Sequence, residues 1–312
     1  MNAREPGPIV TLGSINVDVT AFCDRLPRPG ETVTGARSSI SLGGKGANQA
    51  AAVARLGARS IFVGRTGQDG FGTLVRGRLA DFGVDVEHLT PQAESTTGMA
   101  VISVNQEGEN CIVVVGGANS LLDRSDVNRV KAILASARVL LLQLETPLAA
   151  SLAAAAVVRT AGGIVILDPA PAPAGGLPAE AMRTVDIITP NETETEALVG
   201  IRPTSRAEAV EAAARLLTLG VPAAVVKMGS HGVFYRNAEA GGFVPPFPVH
   251  SINSVGAGDC FNGGLAVALA RGDGFADAIR FAAACGALAT TGPGAADSAP
   301  TMAAVQRIMT AS

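Results

Sequence analysis

The chain has 312 residues, of which 47% are hydrophobic and 16% charged, and its formal net charge is −3. No basic run stands out and Trp is absent, which argues against a nucleic-acid-binding surface. The four cysteines and three histidines show no metal-like spacing, so we expect neither a zinc site nor a disulfide framework.

We expect no membrane partner either. The most apolar stretch, 148–158, covers about 11 residues, whereas a membrane span needs roughly 20. Residues 1–8 lack the charged region and following apolar region of a secretion signal. Scattered cysteines suit a reducing compartment, and the sequence therefore predicts a cytoplasmic protein.

Apolar runs typical of buried strands alternate with Ala-rich segments of helical pattern. We predict strands at 9–12, 60–63, 139–142, 164–167, 187–189 and 223–227. We predict helices at 46–56, 70–82, 124–137, 147–160 and 205–219. This alternation indicates βαβ units, with a mainly parallel sheet covered by helices on both faces. No linker divides the chain, so residues 1–312 are expected to form one domain of the α/β class.

Two regions, 17–41 and 97–115, do not fit this alternation. Both alternate polar and apolar residues like half-buried strands, and 105–108 is typical of a hairpin turn. We expect these strands to form a small β-sheet that projects from the main sheet. Such a sheet would act as a lid that excludes water from a site.

The most informative segment is 253–264, NSVGAGDCFNGG, which is a glycine-rich turn that opens a helix. A helix start presents unpaired N–H groups and suits phosphate. Asp259 would repel an anion there, so it makes better sense as a base that takes a proton from a hydroxyl. A base beside an anion hole indicates phosphoryl transfer to an alcohol. On this segment alone, an Asp that caps the helix explains the pattern equally well.

Two further segments carry candidate binding side chains. In GGKGANQA, residues 43–50, Lys45 and Asn48 offer donors where glycines permit a close approach. This segment is neither a Walker A loop nor a dinucleotide fingerprint, and a tight structural turn is the alternative. In GSINVD, residues 13–18, Asn16 and Asp18 share one face of an extended chain, as a sugar site requires. An Asx turn is equally compatible with that pattern.

Acidic residues follow two more predicted strands, in QLE at 143–145 and in TPNETE at 189–194. Near a phosphate site, such acids would bind Mg²⁺ indirectly through water. Glu192 and Glu194 would equally suit the first turn of a helix, and for Glu192 we favour that interpretation.

Together these segments resemble the PfkB family of carbohydrate kinases, most closely its ribokinase branch, from Gly13 to about Pro300. The specific segments are GSINVD (13–18), GGKGANQA (43–50), QLETPL (143–148), DPAPA (168–172), TPNETE (189–194) and GAGDCFNGG (256–264). The resemblance implies a ribokinase-like three-layer sandwich with a β-sheet lid that often pairs two subunits, and hence a homodimer. It also implies ATP-dependent phosphorylation of the 5-hydroxyl of D-ribose, a small-molecule sugar, with Mg²⁺.

The resemblance assigns a role to each matching residue. The sugar would be held by Asn16, Asp18, Gly43, Gly44, Lys45, Asn48, Glu145 and Asp259. Catalysis would rest on Asp259 as the base, with Gly256, Ala257 and Gly258 as the anion hole. The ATP and Mg²⁺ side would comprise Asn191, Glu194, Lys227, Met228, Gly229, Ser230, Gly232 and Gly258. A monovalent cation, potassium, would be held by Asn253, Val255, Ala289, Gly292, Gly294 and Ser298.

One position departs from the family pattern. Asn253 stands where the family usually has Asp, so an oxygen ligand remains but its negative charge is lost. The resemblance therefore implies weak potassium activation or none.

Other functions stay open from the sequence. A deoxyribose, nucleoside or sugar-phosphate kinase would use the same machinery. A non-catalytic sugar sensor would be expected to lose Asp259 or the glycines at 256 and 258. A nicotinamide oxidoreductase is disfavoured by the missing fingerprint.

Overall fold

The computed structural model describes residues 7–311, so most of the segment predicted to lack a secretion signal lies outside the described residues. The described strands, numbered in chain order, are β1 (Ile9–Leu12), β2 (Asn16–Cys23), β3 (Gly35–Gly43), β4 (Ser60–Gly67), β5 (Leu89–Gln92), β6 (Gly98–Val104), β7 (Asn110–Val115), β8 (Val139–Leu142), β9 (Ile164–Leu167), β10 (Ile187–Ile188), β11 (Ala223–Lys227), β12 (Val233–Asn237) and β13 (Gly241–Val244).

The described helices are α1 (Lys45–Arg55), α2 (Gly70–Asp81), α3 (Arg124–Arg129), α4 (Lys131–Ser136), α5 (Leu148–Thr160), α6 (Ala179–Thr184), α7 (Glu192–Val199), α8 (Arg206–Thr218), α9 (Ala257–Arg271), α10 (Phe275–Ala289) and α11 (Met302–Thr310). Within residues 7–311, no helix is both long enough and apolar enough to cross a membrane.

A nine-stranded sheet forms the centre, in the order β13-β12-β11-β10-β9-β8-β1-β4-β5. Its strands pair in parallel except at one edge, where β12 pairs antiparallel with both β11 and β13. Successive side chains of a strand point to opposite faces. In β1, Val10 and Leu12 therefore pack with helices α3 to α8, whereas Ile9 packs with α1 and α9 to α11. The predicted α/β class and its three layers are confirmed.

All six predicted strands form, because continuous apolar runs are what a sheet buried on both faces requires. The predicted helix over 124–137 is instead two helices. Val130 leaves helical geometry at φ −103° and ψ 16°, and its side chain is 1% exposed. The bend lets Val127, Val130 and Leu134 all reach the same core, which a straight helix pattern does not reveal.

The two irregular regions form a second sheet of four strands, in the order β3-β2-β6-β7. In its register, Asn16 lies between Gly43 and Gly98. The root of this lid sheet therefore lies beside the first residues that follow β1. The hairpin predicted at 105–108 connects β6 and β7.

One carboxylate ties the lid to the main body. Asp69 caps α2 by accepting a bond from the Gly72 amide at 2.7 Å. It also accepts bonds from the amide and hydroxyl of Thr97, at 2.8 Å and 2.7 Å, just before β6 begins. Partial burial raises the pKa of Asp69, but these hydrogen bonds outweigh it and hold the pKa below its usual value of 3.8.

We expect Asp69→Ala to lower the free energy of unfolding by about 1–2 kcal/mol, since an N-cap acceptor is lost. Because the folded pKa of Asp69 is depressed, its contribution is present at neutral pH and is lost as the pH falls below about 4. Urea unfolding at pH 7 and at low pH measures both effects. Asp69→Asn keeps one acceptor oxygen and is the matched control. Equal stability of Asp69→Ala and the wild type would show that Asp69 does not stabilise the attachment of the lid to the main body.

Candidate active site

The candidate site lies where the carboxyl ends of the parallel strands meet, which is the usual ligand-binding edge of such sheets. Five of these strands deliver polar side chains to that edge at their last residue or within a few residues of it. These side chains are Ser14 and Asn16 after β1, Gln143 and Glu145 after β8, Asp168 after β9, Asn191 after β10, and Lys227 at the end of β11. Helices α1 and α9 contribute their first turns to the same cleft.

Helix α9 opens the predicted anion site. Gly256 caps it in the left-handed region at φ 79°, and a Cβ there would lie 2.8 Å from the Cα of Ala295. The first-turn N–H groups of a helix have no carbonyl partner within it, and the helix dipole adds positive potential. The Lys227 ammonium lies 3.4 Å from where a Cβ of Gly258 would be. Residues 256–258 therefore lie where positive potential is concentrated, and their role as an anion cradle stays a prediction.

Asp259, the predicted base, is 6% exposed. Its Oδ2 accepts a bond from Asn48 Nδ2 at 2.9 Å, and its Oδ1 accepts one from Gln49 Nε2 at 3.1 Å. Burial raises the pKa of Asp259 to about 6, and the charge of Asp168 acts in the same direction while Lys45 opposes it. A carboxylate of this kind is ionised at neutral pH yet basic enough to accept a proton.

A second buried carboxylate, Asp168, lies close to the base. It is 2% exposed and forms an ion pair with Lys227, whose Nζ lies 3.1 Å from Asp168 Oδ1. Gln49 Nε2 donates to Asp168 Oδ2 at 3.0 Å as well as to Asp259. The two carboxylates are therefore joined by a single amide group.

Lys45 brings positive charge to this cluster from the first turn of α1. Burial would lower its pKa, but Asp259, Asp168, Glu145 and Glu194 together raise it above the usual range. Lys45 is therefore a permanent cation that faces several carboxylates. Such a group can neutralise negative charge that develops on a ligand.

Glu145 follows β8 in the chain, and its side chain contacts the start of α1. Its Oε2 accepts bonds from Ser14 Oγ at 2.5 Å and from the Lys45 amide at 3.1 Å. Burial and the nearby Glu145 raise the pKa of Asp18 to about 6. Gly44, at φ 89°, leaves no room for a side chain, because a Cβ would lie 2.8 Å from the Cα of Ile15. The predicted sugar-side residues thus meet at one place.

Asn16 is oriented by a residue that the sequence did not indicate. Asn119 Nδ2 donates to Asn16 Oδ1 at 2.7 Å and to the Ile15 carbonyl at 3.1 Å, and Asn119 Oδ1 accepts from the Ile15 amide. Since the oxygen of Asn16 is engaged with Asn119, its amide nitrogen is the group left for a ligand.

Asn191 and Glu194 form a reciprocal capping box at the start of α7. Glu194 is 8% exposed, and burial raises its pKa, with Lys227 opposing and Asp168 adding to the rise. Glu192 lies in the first turn of α7, which confirms the interpretation favoured for it. Excess negative charge here suits a nearby cation.

The predicted nucleotide loop connects β11 to β12. Met228 is buried, Gly229 and Ser230 are exposed, and Gly232 is buried at φ 91°. A Cβ on Gly229 would lie 3.4 Å from Glu192 Oε1. This loop therefore lies next to the start of α7 and beside Lys227.

The predicted potassium residues lie on two turns behind the anion cradle. Asn253 Oδ1 accepts from the Val255 amide at 3.0 Å, and Asn253 Nδ2 faces the Gly294 carbonyl at 3.5 Å. Ser298 Oγ donates to the Gly294 carbonyl at 2.9 Å. Gly292 adjoins Ser298, and Ala289 ends α10.

Sequence reasoning gave no role to three residues of this cluster. Gln49 and Asp168 stand inside motifs, GGKGANQA and DPAPA, so their position was a usable signal. Asn119 belongs to none of the motifs. It is identified only by its contacts with a segment 103 and 104 positions away.

Comparison with known proteins gives concordant matches. The family described as pfkB family carbohydrate kinase matches residues 8–302. The chain is 40% identical over 293 residues to a ribokinase of Haemophilus influenzae, covering 94% of this chain and 95% of that protein. It is 32% identical over 295 residues to a deoxyribokinase of Salmonella typhi, covering 94% and 96%. The structure of Arabidopsis thaliana ribokinase complexed with ribose and ATP superposes with a TM-score of 0.91, at 34% identity, over 97% and 98% of the two chains.

Proposed function

The chain belongs to the pfkB family of carbohydrate kinases, and from that premise we propose that it transfers the γ-phosphoryl group of ATP to the 5-hydroxyl of D-ribose. The observation that carries this proposal is the buried Asp259 at the first turn of α9, directly beside an anion cradle. Two comparisons support the proposal. One relative, at 40% identity, is a ribokinase, and a ribokinase complexed with ribose and ATP has the same fold.

The geometry of the cluster supports the following chemistry. Asp259 accepts the proton of the sugar hydroxyl, and the oxygen attacks the γ-phosphorus as the bond to the bridging β-γ oxygen breaks. ADP then leaves with that oxygen. The first turn of α9 and Lys45 face the charge that develops on the transferring group, and Lys227 lies beside Gly258. Phosphoryl transfer depends on this positioning and charge stabilisation more than on covalent catalysis.

The sugar would be held at the root of the lid by Asn16, Asp18, Lys45, Asn48 and Glu145. Gly43 and Gly44 would let the sugar approach the backbone there. Asn191, Glu194 and the loop of Met228, Gly229, Ser230 and Gly232 would bind ATP. Closing the lid sheet over the sugar would exclude water and suppress ATP hydrolysis.

The residues present fit Mg²⁺ bound mainly through ATP. Within residues 7–311, no group of three or more His, Cys, Asp or Glu side chains could hold a metal by itself. Mg²⁺ commonly keeps several waters and binds substrate phosphates. Asn191, Glu194 and Asp168 would hold those waters. The ion would neutralise phosphate charge during transfer.

We also place the protein in the cytoplasm. All four cysteines, three of them buried, are free thiols, which suits a reducing compartment.

Asp259→Asn should reduce kcat by about 10²–10⁴-fold, because Asn cannot accept the proton. ATP binding, measured by calorimetry, should remain close to wild type. In the wild type, kcat/KM should fall as the pH drops below about 6, because the pKa of Asp259 is raised to about 6 by burial. Retention of more than about a tenth of kcat by the variant would remove Asp259 from the base role.

Ribose should be preferred over 2-deoxyribose, because a carboxylate such as Asp18 left without its hydroxyl partner in a closed site is costly. The measurement is kcat/KM for both sugars in a coupled ADP-release assay, with adenosine, fructose and sugar phosphates as further acceptors. Asp18→Asn is the matched variant, and it should reduce the difference in kcat/KM between ribose and 2-deoxyribose. Equal kcat/KM for the two sugars would favour the deoxyribose kinase instead, the activity of one relative.

We further propose a weak potassium site at Asn253, Val255, Ala289, Gly292, Gly294 and Ser298. Carbonyl and hydroxyl oxygens suit a hard cation, so the oxygen set fits such an ion in kind. The Asn253 amide, however, turns an N–H donor toward the Gly294 carbonyl at 3.5 Å and carries no negative charge. Both features weaken attraction for a cation.

Turnover without potassium should therefore be measurable, and Asn253→Asp should tighten the apparent potassium affinity without changing the sugar preference. The measurement is the initial rate against potassium concentration at constant ionic strength, for both versions. Saturation of the wild type at low potassium, with no gain in the variant, would contradict the role given to the charge at this position.

The lid is proposed to pair with a second copy of the chain. Every residue of the edge strand β7 is exposed, and its Ile112 and Val113 are 53% and 63% exposed. With Val101 and Ile40 also about half exposed, the lid carries an apolar surface that a monomer rarely shows. An unprotected apolar edge strand without charges pairs readily with another strand. A symmetric dimer is the commonest way to cover it.

Val113→Lys should convert the dimer to a monomer in light scattering, because a charge would enter the apolar contact. Val210→Lys changes an exposed valine of α8 and is the control, which should remain dimeric. A wild type that is monomeric at micromolar concentration would contradict the proposed pairing.

A further inference from the structure

Gln49 is a fully buried amide, 0% exposed, in the second turn of α1. Its Nε2 donates to Asp168 Oδ2 at 3.0 Å and to Asp259 Oδ1 at 3.1 Å, and its Oε1 accepts from Gln143 Nε2 at 2.6 Å. Burying an amide is unfavourable unless its donors and acceptor are paired. The neighbourhood of Gln49 pairs all of them.

The direction of this amide is determined by charge. Its two N–H groups must face the two carboxylates, because an amide oxygen there would be repelled. The Gln49 oxygen consequently faces Gln143, which has to present its own nitrogen. Gln143 is also 0% exposed, and its Oε1 has no partner in the described residues. Gln143 therefore donates its amide nitrogen to Gln49, while its own side-chain oxygen is left without a partner.

On these observations, which rest on the proposed kinase function, we propose that Gln49 is a positioning residue for the catalytic base. Its amide holds Asp259 against the carboxylate of Asp168, so that the two negative charges act on each other at a fixed distance. Gln143 holds the amide in that direction. Asp168 is thereby an electrostatic partner of the base, although it does not itself accept the proton.

The groups that face Asp259 come from every element packed around it. Lys45 faces it from α1, and Asp168 from the end of β9. Lys227 of β11 lies beside Gly258 and is bonded to Asp168. Cys260, its neighbour on α9, stays a neutral thiol because burial raises the pKa of that thiol. Burial, together with the balance among these charges, determines how basic Asp259 is.

Gln49→Met removes both donors at nearly constant volume. The ionised form of Asp259 then loses a hydrogen bond, so the acidic limb of the kcat/KM profile should move up by about half a pH unit or more. Loss of orientation should lower kcat about tenfold while KM for ATP stays within about twofold. Gln143→Met should shift the profile in the same direction by a smaller amount.

Asp168→Asn should shift the acidic limb of the kcat/KM profile in the opposite direction, to lower pH. It removes the negative charge that makes Asp259 more basic and frees Lys227, so the acidic limb should move down. Opposite shifts from two neighbouring variants are not expected of a purely structural role. The readout also survives if Gln49→Met folds poorly, because Asp168→Asn and Gln143→Met test the same arrangement.

Thr11→Val is the matched control. Thr11 of β1 is 0% exposed and its hydroxyl has no partner in the described residues, so this variant removes a buried polar group outside the network. Its kcat and pH profile should equal those of the wild type. The proposal is overturned if Gln49→Met and Asp168→Asn leave the acidic limb in place, or move it in the same direction. Failure of the kinase function is distinguishable, because the wild type itself would then phosphorylate no sugar.

Discussion

The site depends on keeping negative charge buried at the amino end of α9. Asp259 and Asp168 are 6% and 2% exposed, and buried carboxylates are tolerated only where cations or donors face them. Lys45 and Lys227 supply full positive charges, and the helix dipole adds a partial one. This requirement explains why residues from separate strands and two helices must meet at one edge of the sheet.

Two helix starts point into the cleft, and they have different partners. The first amide of α1, that of Lys45, already donates to the carboxylate of Glu145. Positive potential at α1 is therefore matched by a carboxylate of the protein, whereas the carboxylate in the first turn of α9, that of Asp259, accepts bonds from the side chains of Asn48 and Gln49. This difference supports the proposal that phosphate binds at α9 and that the start of α1 takes an uncharged, hydroxyl-rich ligand.

Local patterns in the sequence were sufficient for much of the structure. Continuous apolar runs predicted the six central strands, because a sheet covered on both faces leaves no polar alternation. The glycine turn at 253–264 predicted both the start of α9 and the place of Asp259. Glu194 was expected to suit the first turn of a helix, and it lies there in a capping box with Asn191, three residues before it. Each of these features involves only neighbours along the chain.

Tertiary structure decided how the side chains share charge. Gln49 lies 119 positions from Asp168 and 210 from Asp259, so no local pattern could indicate that one amide joins both. The sequence could show that Asp259 follows a glycine turn, but its pKa of about 6 arises from burial and from Asp168. Desolvation and charge proximity depend on which distant segments pack together. The sequence by itself determined which groups stand at the strand ends, and folding determined which of them face each other.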